Sequence, residues 1–453
     1  MIRSVFKITI LIFLLFFSGC SDIGDVGNTS SPKAKSEPKL EKENNISSEP
    51  QTKIDEEPEK VDSPKEKPNI EIEDTKKDEF VFQSNNPYKN FFQPTTEKDP
   101  DAPIYIEPKK EYINGKELKT LSGDIQQNLI LTKNIYWKIS GNVKIKDGYL
   151  LSIESGTTIF GENQNSILTF EKGSQLIAIG KKREPIIFTS QNDILNLEPK
   201  GGDWVGLQLS ETYSSILKYV QIRYSGHNKA SLQLENIKFD TVLEFLEIYY
   251  SNNDGIQLNG GDVNLRNILI LGADGDSLSL KNSWKGKVQN IYIHQFNDSF
   301  GDKSSGLEVS SDIKNIILTN LIIVSDKKDV GAGIYLKKNS SVQIINSIIT
   351  GKRTAVCLKS EELSTDHIFR SNVLSCQNGN LERLKLDRLE NSLLSETSSL
   401  KILSTKVEPI NSYSLDNWFD DYPQLYIGAF NFNSTKKWSD IWSIGMEDIF
   451  NEK

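Results

Sequence analysis

The segment GADGDSLSLKNSWKGK (272–287) brings together side chains that can bind a cation or act on a sugar. Two carboxylates, Asp274 and Asp276, flank a glycine, and Asp254 lies in a similar loop, SNNDG, earlier in the chain. Ca²⁺ prefers oxygen ligands of this kind and takes roughly six to eight of them. The sequence therefore predicts a candidate Ca²⁺ site at Asp254, Asp274 and Asp276. The alternative is structural, because Asp and Asn beside glycine are common turn formers.

The same acids also suit a carbohydrate-active enzyme. Glycoside hydrolysis uses two carboxyl groups about 5–9.5 Å apart, and Asp254 with Asp276 forms such a pair if the two loops lie on neighbouring turns of a fold. A polysaccharide lyase needs a basic group instead, and the outward candidates are Arg223, Arg266, Lys281 and Lys285. We assign no catalytic residue, because the sequence contains no G-x-S-x-G, H-E-x-x-H or P-loop motif around which such a site could be built.

Net charge and residue spacing exclude two further kinds of site, a nucleic-acid-binding surface and a metal site built from histidines. The formal net charge is −9, so the basic surface that nucleic-acid binding requires is missing. The three histidines, His227, His294 and His367, are far apart in the sequence and lack the spacing of metal ligands. We expect each of them to be a surface or corner residue.

Short strand patterns recur about every 25 residues from residue 206 onward. One series reads GLQL, SLQL, GIQL, SLSL, GLEV, GIYL and AVCL, and a second series alternates with it. The second residues of the two series keep pace with each other over six steps. In the second series these residues are Tyr219, Phe245, Asn267, Asn290, Asn320, Asn346 and Asn372.

This repeat predicts an all-β fold, a right-handed parallel β-helix of roughly ten turns. The alternation L-x-L points one set of side chains inward, and stacked turns lie about 4.8 Å apart. Asparagine tolerates the left-handed backbone angles of a corner, and stacked asparagines can hydrogen-bond to each other. We also expect Tyr219 to stack on Phe245. Leucine-rich repeats need L-x-x-L-x-L and propellers need antiparallel blades, and neither pattern is present.

Three segments before the repeat carry a resemblance to a known family. GNVKIKDGYLLSIESGTTIFG (141–161), EPIIFTSQND (184–193) and GDWVGLQL (202–209) occur in that order. They resemble the first turns of bacterial secreted or lipid-anchored parallel β-helix proteins, although Ser155 replaces the usual proline and Val205 the usual glycine. The resemblance implies the fold and export of the chain. It implies little about function, because most members are uncharacterised and one fold supports many activities.

The first residues indicate export and lipid attachment. Arg3 and Lys7 precede an apolar run that is too short for a permanent membrane span. The run ends in FSGC, which resembles the lipobox of bacterial lipoproteins, in which Cys20 becomes the acylated first residue. Residues 1–19 are therefore predicted to be a lipoprotein signal peptide, with Ser21 favouring the outer membrane. Acyl chains such as palmitate would anchor the protein.

The remaining domain boundaries follow from composition. Residues 20–112 contain eleven of the fifteen prolines and many Lys and Glu residues, so we predict a disordered tether. Residues 113–376 form the predicted β-helix, and residues 377–453 a C-terminal cap. In that cap LERLKLDRLENSLL (381–394) has the leucine spacing of an amphipathic helix. We expect this helix, with Trp418, Trp438 and Trp442, to cover the last turn, and Tyr136 and Trp137 to cover the first.

Cys357 and Cys376 are separated by nearly one turn, so stacking would bring them within the distance of a disulfide in an oxidising envelope. Taken together, these patterns favour a non-catalytic binding, adhesion or structural module. A tether would display it from the cell envelope, on the periplasmic face or the cell surface. Its expected partners are the membrane, through the lipid, and glycans or other envelope proteins. The alternative is a polysaccharide lyase or glycoside hydrolase that uses the acidic loops, and no cofactor other than Ca²⁺ is indicated.

Overall fold

The computed structural model describes residues 110–295, 304–326, 331–351, 356–363, 366–377, 379–385, 391–393, 426–431 and 434–446. All of them belong to one compact unit, residues 101–453. The predicted signal peptide, Cys20, nearly all of the predicted tether and Trp418 lie outside the described residues.

The described residues contain 27 strands and one short helix. The first nine strands are β1 (Glu111–Ile113), β2 (Lys116–Ile125), β3 (Leu129–Leu131), β4 (Ile135–Ile145), β5 (Leu150–Ile153), β6 (Thr158–Gly161), β7 (Ile167–Phe170), β8 (Gln175–Ile179) and β9 (Ile186–Ser190). The helix α1 (Gln191–Leu195) follows. The next ten are β10 (Gly206–Ser210), β11 (Ile216–Ser225), β12 (Leu232–Glu235), β13 (Val242–Ser251), β14 (Ile256–Asn259), β15 (Asn264–Ala273), β16 (Leu278–Lys281), β17 (Val288–Gln295), β18 (Ser305–Val309) and β19 (Ile316–Ser325). The last eight are β20 (Ala332–Leu336), β21 (Val342–Ile345), β22 (Ile348–Gly351), β23 (Val356–Ser360), β24 (Ile368–Arg370), β25 (Val373–Cys376), β26 (Leu381–Glu382) and β27 (Ser392–Leu393).

Parallel pairing stacks these strands into three faces. Face A contains the second half of β4 and then β7, β10, β12, β14, β16, β18, β20, β23 and β26. Face B contains β3, β5, β8, the first halves of β11, β13, β15, β17 and β19, and then β21 and β24. Face C contains β2, the first half of β4, β6, β9, the second halves of β11, β13, β15, β17 and β19, and then β22, β25 and β27.

The predicted right-handed parallel β-helix is confirmed, with about nine turns where we expected about ten. Its strands run from Glu111 to Leu393, and the parallel ladder extends past the predicted end at residue 376 through β26 and β27. The core follows from the alternation of the sequence, because successive strand residues point to opposite sides. On face A, for example, Leu207, Leu232 and Ile256 are in register and fully buried inside the helix.

One row of left-handed residues forms the bend between faces B and C. Tyr219, Phe245, Asn267, Asn290, Asn320 and Asn346 all have φ between 52° and 58°. The expected ladder contacts are present: Tyr219 stacks on Phe245 with ring centroids 4.5 Å apart, and the Nδ2 of Asn290 donates to the Oδ1 of Asn267 at 3.0 Å. These contacts fix the corner at the same position on each turn.

Two positions of the sequence alignment were wrong near the last turns. The left-handed residue there is Ser371 (φ 54°), and Asn372 instead bonds to neighbouring turns through its side chain. In the first series, Leu358 rather than Val356 is in register with Ile334. Both errors have one cause: the intervening loops change length, while the hydrogen-bonded register does not.

The first turn is covered by an antiparallel hairpin of β1 and β2, and β2 then pairs with β4. Trp137 lies inside the helix with 6% of its surface exposed, and its Nε1 donates to the Thr132 carbonyl at 3.1 Å. Tyr136 lies outside, beneath the Lys116 ammonium at 4.5 Å. Of the two predicted capping aromatics, Trp137 therefore fills the interior of the first turn.

The predicted C-terminal cap differs from the structure in two ways. The proposed helix begins as strand β26 (Leu381–Glu382), which continues face A; its residues 386–390 and 394 are outside the described part. Trp438 and Trp442 do not cover the last turn. They belong to a C-terminal segment, residues 426–446, that packs along the outside of face C. The segment starts as a strand despite its leucine periodicity, because strand pairing supplies hydrogen-bond partners to the otherwise open edge of β23.

Cys357 of β23 and Cys376 of β25 are joined by a disulfide in the structure, with their Cα atoms 5.5 Å apart. The bond connects faces A and C across the interior of the last turns. Closing a loop with a sequence separation of 19 residues stabilises a fold by about 3 kcal/mol in the chain-entropy treatment. Because the disulfide lies near the end of the parallel ladder, it holds the last turns together.

Candidate functional site

The acids singled out by the sequence lie in the loops that lead from face C to face A. Asp254 precedes β14 and Asp276 precedes β16, on consecutive turns. The Oδ1 of Asp254 accepts the backbone N–H of Asp276 at 2.9 Å, and the Oδ1 of Asp276 accepts that of Ser305 at 2.6 Å. Each carboxylate thus holds the loop of the next turn.

The glycine between the two aspartates has a steric reason. A Cβ on Gly275 would lie 2.5 Å from the Oδ1 of Asp254 and 2.6 Å from its backbone nitrogen. Only glycine allows this approach of one loop to the next. Gly275 is therefore required by the stacking of the two loops.

Asp276 is the electrostatically unusual acid of this corner. Burial raises its pKa to about 7, and Glu308 and Asp254 add to the shift by repulsion. A carboxyl group with a pKa near neutrality can serve as a general acid or base. Asp254 is held differently, because its Oδ2 accepts from the Ser279 hydroxyl at 2.8 Å and lies 3.6 Å from the Lys281 ammonium.

These contacts fit a calcium ion poorly. A backbone N–H, a hydroxyl donor and an ammonium group already occupy Asp254, and an ammonium repels a cation. Asp274 is buried with 8% exposure, and its backbone nitrogen donates to the Ser251 carbonyl at 2.9 Å. Within the described residues, no group of three His, Cys, Asp or Glu side chains is placed to hold a metal. Calcium binding by Asp254, Asp274 and Asp276 stays a prediction, and the contacts favour the turn-forming role.

Face A presents a polar row beside this corner. Its outward positions are in register from turn to turn and are Thr169, Gln208, Gln233, Gln257, Ser279, Glu308, Tyr335 and Lys359. Further along the same strands, the carboxylate of Glu235 accepts from Gln233 at 2.8 Å, and Asn259 donates to Gln257 at 3.2 Å. Amide groups both donate and accept hydrogen bonds, so this face offers both at successive turns.

A family model for the pectate-lyase-like β-helix domain matches residues 123–213 and 210–423. The match covers more than half of the 453 residues. The chain belongs to the pectate-lyase-like β-helix family. No curated protein and no solved structure matches it. Membership in the pectate-lyase-like family is compatible with a binding module and with a carbohydrate-active enzyme, so the choice depends on the side chains of this chain.

The remaining candidates of the pectate-lyase-like domain are dispersed. Arg266 lies on face B, 3.8 Å from Glu244, and Arg223 lies on face C, 3.7 Å from Asp193. His294 faces Asp326 at 3.3 Å on face C. Of the lysines, Lys281 reaches the acidic corner. The fold therefore brings Lys281 to the two aspartates, whereas Arg223 and Arg266 lie on other faces.

Trp284, the tryptophan of the opening segment, is fully buried, and its Nε1 donates to the Val263 carbonyl at 3.1 Å. It is part of the core and cannot stack on a sugar. Two other features of the pectate-lyase-like domain were not predicted: the C-terminal segment on face C, and the helix α1 with a cleft beside it. A signal existed for the first, because β15 and β19 contain consecutive apolar residues, a pattern typical of strands buried on both sides.

Proposed function

We propose that the chain is a lipid-anchored protein of the bacterial outer membrane whose β-helix binds an extended glycan along face A. The lipobox-like FSGC with Cys20 and the proline-rich tether support the anchoring. The polar row of face A supports the ligand class. Among the described residues, no helix has the length and apolar composition needed to cross a bilayer.

The observation that carries the proposal is the run of three glutamines at consecutive turns. Gln208, Gln233 and Gln257 are in register, half-buried, and directed away from the core. Strands of successive turns are about 4.8 Å apart, so the amides form a regular strip. Sugar hydroxyls require donors and acceptors side by side, and carboxamides supply both.

The second candidate function is a carbohydrate-active enzyme. Asp276, with a pKa of about 7, lies at the edge of the same face, one turn above Asp254. In this case Asp276 would act as the general acid or base, and Asp254 would remain the negatively charged carboxylate of the pair. The bonds that occupy Asp254 favour the binding function over this one.

A glycan-binding screen on the full-length chain in detergent separates the two functions. Gln233→Ala and Gln257→Ala should each weaken binding about threefold to tenfold, the loss of one or two hydrogen bonds. Gln343→Ala removes an outward glutamine of face B and should leave binding unchanged. Release of reducing or unsaturated ends by the wild-type chain, and its loss in Asp276→Asn, would replace the binding function by the enzymatic one. Binding that ignores both face A variants would refute the proposal.

The anchor has its own test. Cells that express the protein should incorporate a palmitate analogue into it, and Cys20→Ser should abolish this labelling and release the protein from the membrane fraction. Protease treatment of intact cells then distinguishes the cell surface from the periplasm. An unlabelled wild-type protein would exclude lipid attachment without affecting the glycan result.

A further inference from the structure

A cleft of about 450 Å³ lies at the corner between faces C and A, two to three turns below the loop of Asp254. It is formed where residues 191–205, including α1, are inserted between β9 and β10. Its lining is polar throughout: Glu162, Asn163, Gln164, Asn165, Gln191, Asn192, Lys200 and Asp203. The volume falls within the range of roughly 300–1,000 Å³ that small-molecule sites occupy.

The walls of the cleft are held by their own hydrogen bonds. On one side the Asn163 side chain accepts the backbone N–H of Asn165 at 2.9 Å. On the other side Ser190 caps α1 by accepting the N–H of Asp193 at 3.2 Å. The carboxylate of Glu162 accepts from Ser140 and Lys138 at 2.6 and 3.2 Å, and these contacts hold its pKa below the usual value. The cleft is therefore built before a ligand arrives.

Asp203 offers a hydrogen-bond acceptor to a ligand in the cleft. It is buried with 8% exposure, and it forms one side of the cleft. Its Oδ2 accepts from the Ser190 hydroxyl at 3.0 Å and from the Lys200 N–H at 3.1 Å. Its Oδ1 has no hydrogen-bond donor among the described residues. This oxygen is not closed off from solvent, so a ligand hydroxyl in the cleft can reach it and donate to it.

The remaining side chains of the lining are also available. Within the part of the chain that the structure describes, the side chains of four carboxamides and one lysine form no hydrogen bond or ion pair: Gln164, Asn165, Gln191, Asn192 and Lys200. Together they offer several donors and acceptors around one small volume.

The charges of the lining select the class of ligand. An anion would meet Glu162 and Asp203, and a cation would meet the Lys200 ammonium. The lining contains no aromatic or aliphatic side chain, so an apolar molecule would gain nothing from burial there. A neutral molecule rich in hydroxyl groups fits all three conditions.

We propose that this cleft is a second ligand site, which binds a neutral sugar of one or two rings. Ring hydroxyls donate to the Oδ1 of Asp203, and they exchange hydrogen bonds with the carboxamides of Gln191 and Asn192 on α1. The site is separate from the glutamine row of face A, and it does not depend on the proposed glycan function there.

Isothermal titration of the full-length chain in detergent with a panel of neutral mono- and disaccharides tests the proposal. At least one sugar should bind at millimolar concentration or better. Asn192→Ala and Gln191→Ala should each weaken that binding about threefold to tenfold, because each removes hydrogen bonds of ordinary strength. Gln343→Ala on face B is the matched control and should leave it unchanged. Since these side chains contact no other residue through hydrogen bonds, the variants should also keep the melting temperature of the wild type.

Three outcomes would overturn the proposal. The first is the absence of binding for every neutral sugar of the panel. The second is sugar binding that Gln233→Ala weakens and Asn192→Ala does not, which would place the sugar on face A and support the proposed function instead. The third is binding of Ca²⁺ alone that Asn192→Ala or Asp203→Asn abolishes, which would make the cleft a cation site.

Discussion

Faces A and C share one architecture, yet their outer sides have opposite chemistry. On face A the outward row contains Gln233, Gln257 and Glu308, which are half-buried and polar. On face C the corresponding row contains Leu269, Tyr292, Ile322, Ile348 and Val373, which are almost completely buried. The inward rows of both faces are equally apolar. Stacking of the turns therefore dictates the inside, and the covering of a face dictates its outside.

The C-terminal segment is what covers face C. Its upper part is held by Asn320, whose Nδ2 donates to the carbonyls of Tyr426 and Gly428 at 2.7 and 3.3 Å. Phe430 then packs on Tyr292, with ring centroids 5.7 Å apart. Burial of each such apolar side chain contributes about 1.5–3 kcal/mol. Face A has no such cover among the described residues, which leaves its polar row accessible to a ligand.

The lower end of the segment is held by a buried acid. Glu247 of face C is fully buried, and its carboxylate accepts the N–H groups of Ile444 and Gly445 at 2.9 to 3.1 Å. The carbonyl of Trp442 accepts from the Gln221 side chain nearby. Beneath the C-terminal segment, the outward row of face C thus starts with Gln221 and Glu247, which bond to the backbone of the segment. It continues with apolar residues, which pack against the side chains of the segment.

The largest expected effect is on the covered face. Trp442 is buried with 1% exposure, and its ring meets Tyr219 and Phe245 edge-on at 6.0 and 6.2 Å. Trp442→Ala should lower the free energy of unfolding by about 3–5 kcal/mol, because it leaves a cavity between the segment and face C. Urea denaturation of the full-length chain measures the loss.

The matched control for Trp442→Ala is an aromatic residue on the open face. Tyr335 is half-buried on face A, with the Lys337 ammonium 4.4 Å from its ring, and its hydroxyl donates to Glu361 at 2.9 Å. Tyr335→Ala should cost about 1 kcal/mol or less, as surface substitutions do. Equal losses for the two variants would show that the faces do not differ in the way described.

The second prediction concerns pH. Burial raises the pKa of Glu247 to about 7, while the N–H bonds from Gly445 and Ile444 partly oppose the shift; the charged group facing it is Arg223. The folded chain keeps this proton up to about pH 7, whereas the unfolded chain releases it near 4.5. The stability it contributes is therefore fully present below pH 4.5 and is lost as pH rises through 7. The loss is on the order of 3 kcal/mol.

Glu247→Gln isolates this contribution, because glutamine cannot ionise and its carbonyl can still accept the two N–H bonds. The difference in unfolding free energy between wild type and variant should change by that amount between pH 4.5 and pH 8. Asp276→Asn serves as the comparison at the open corner, since the pKa of Asp276 is also about 7. A difference between wild type and Glu247→Gln that does not vary with pH would contradict the assignment.

Much of the solenoid was predictable from the sequence, because its restraints are local and repeated. The L-x-L strands, the left-handed corner from Tyr219 to Asn346 and the stacking of Tyr219 on Phe245 each follow from a few neighbouring residues. The errors at Ser371 and Leu358 arose where loops vary in length, because spacing alone does not record which residues share a hydrogen bond.

The site was less predictable for a physical reason. Whether Asp254 is free for a metal depends on donors from the next turn, such as Ser279, and this is visible only once the turns are stacked. The cleft depends on Asn163 and Asn192, which lie in loops of consecutive turns that precede the two repeating series of the sequence. The C-terminal segment meets Glu247 across a separation of 197 residues. The apolar outer row of face C indicated a cover, but nothing in it identified the segment.

The smallest effect on stability is expected at the corner that joins face B to face C. Asn290 has φ 56° and bonds to Asn267 at 3.0 Å. Its Oδ1 also accepts from the Tyr426 hydroxyl at 3.3 Å. Asn290→Ala should lower the free energy of unfolding by about 1–2 kcal/mol, because it loses both bonds and places a less tolerant residue in the left-handed region. Asn290→Gly loses the same two bonds but accepts this backbone angle, so its loss should be smaller. If alanine and glycine cost the same in urea, the backbone angle contributes nothing, and the corner depends only on the side-chain ladder. If neither variant lowers stability, the ladder is not a determinant of the bend, and the burial of faces B and C alone must hold the turns in register.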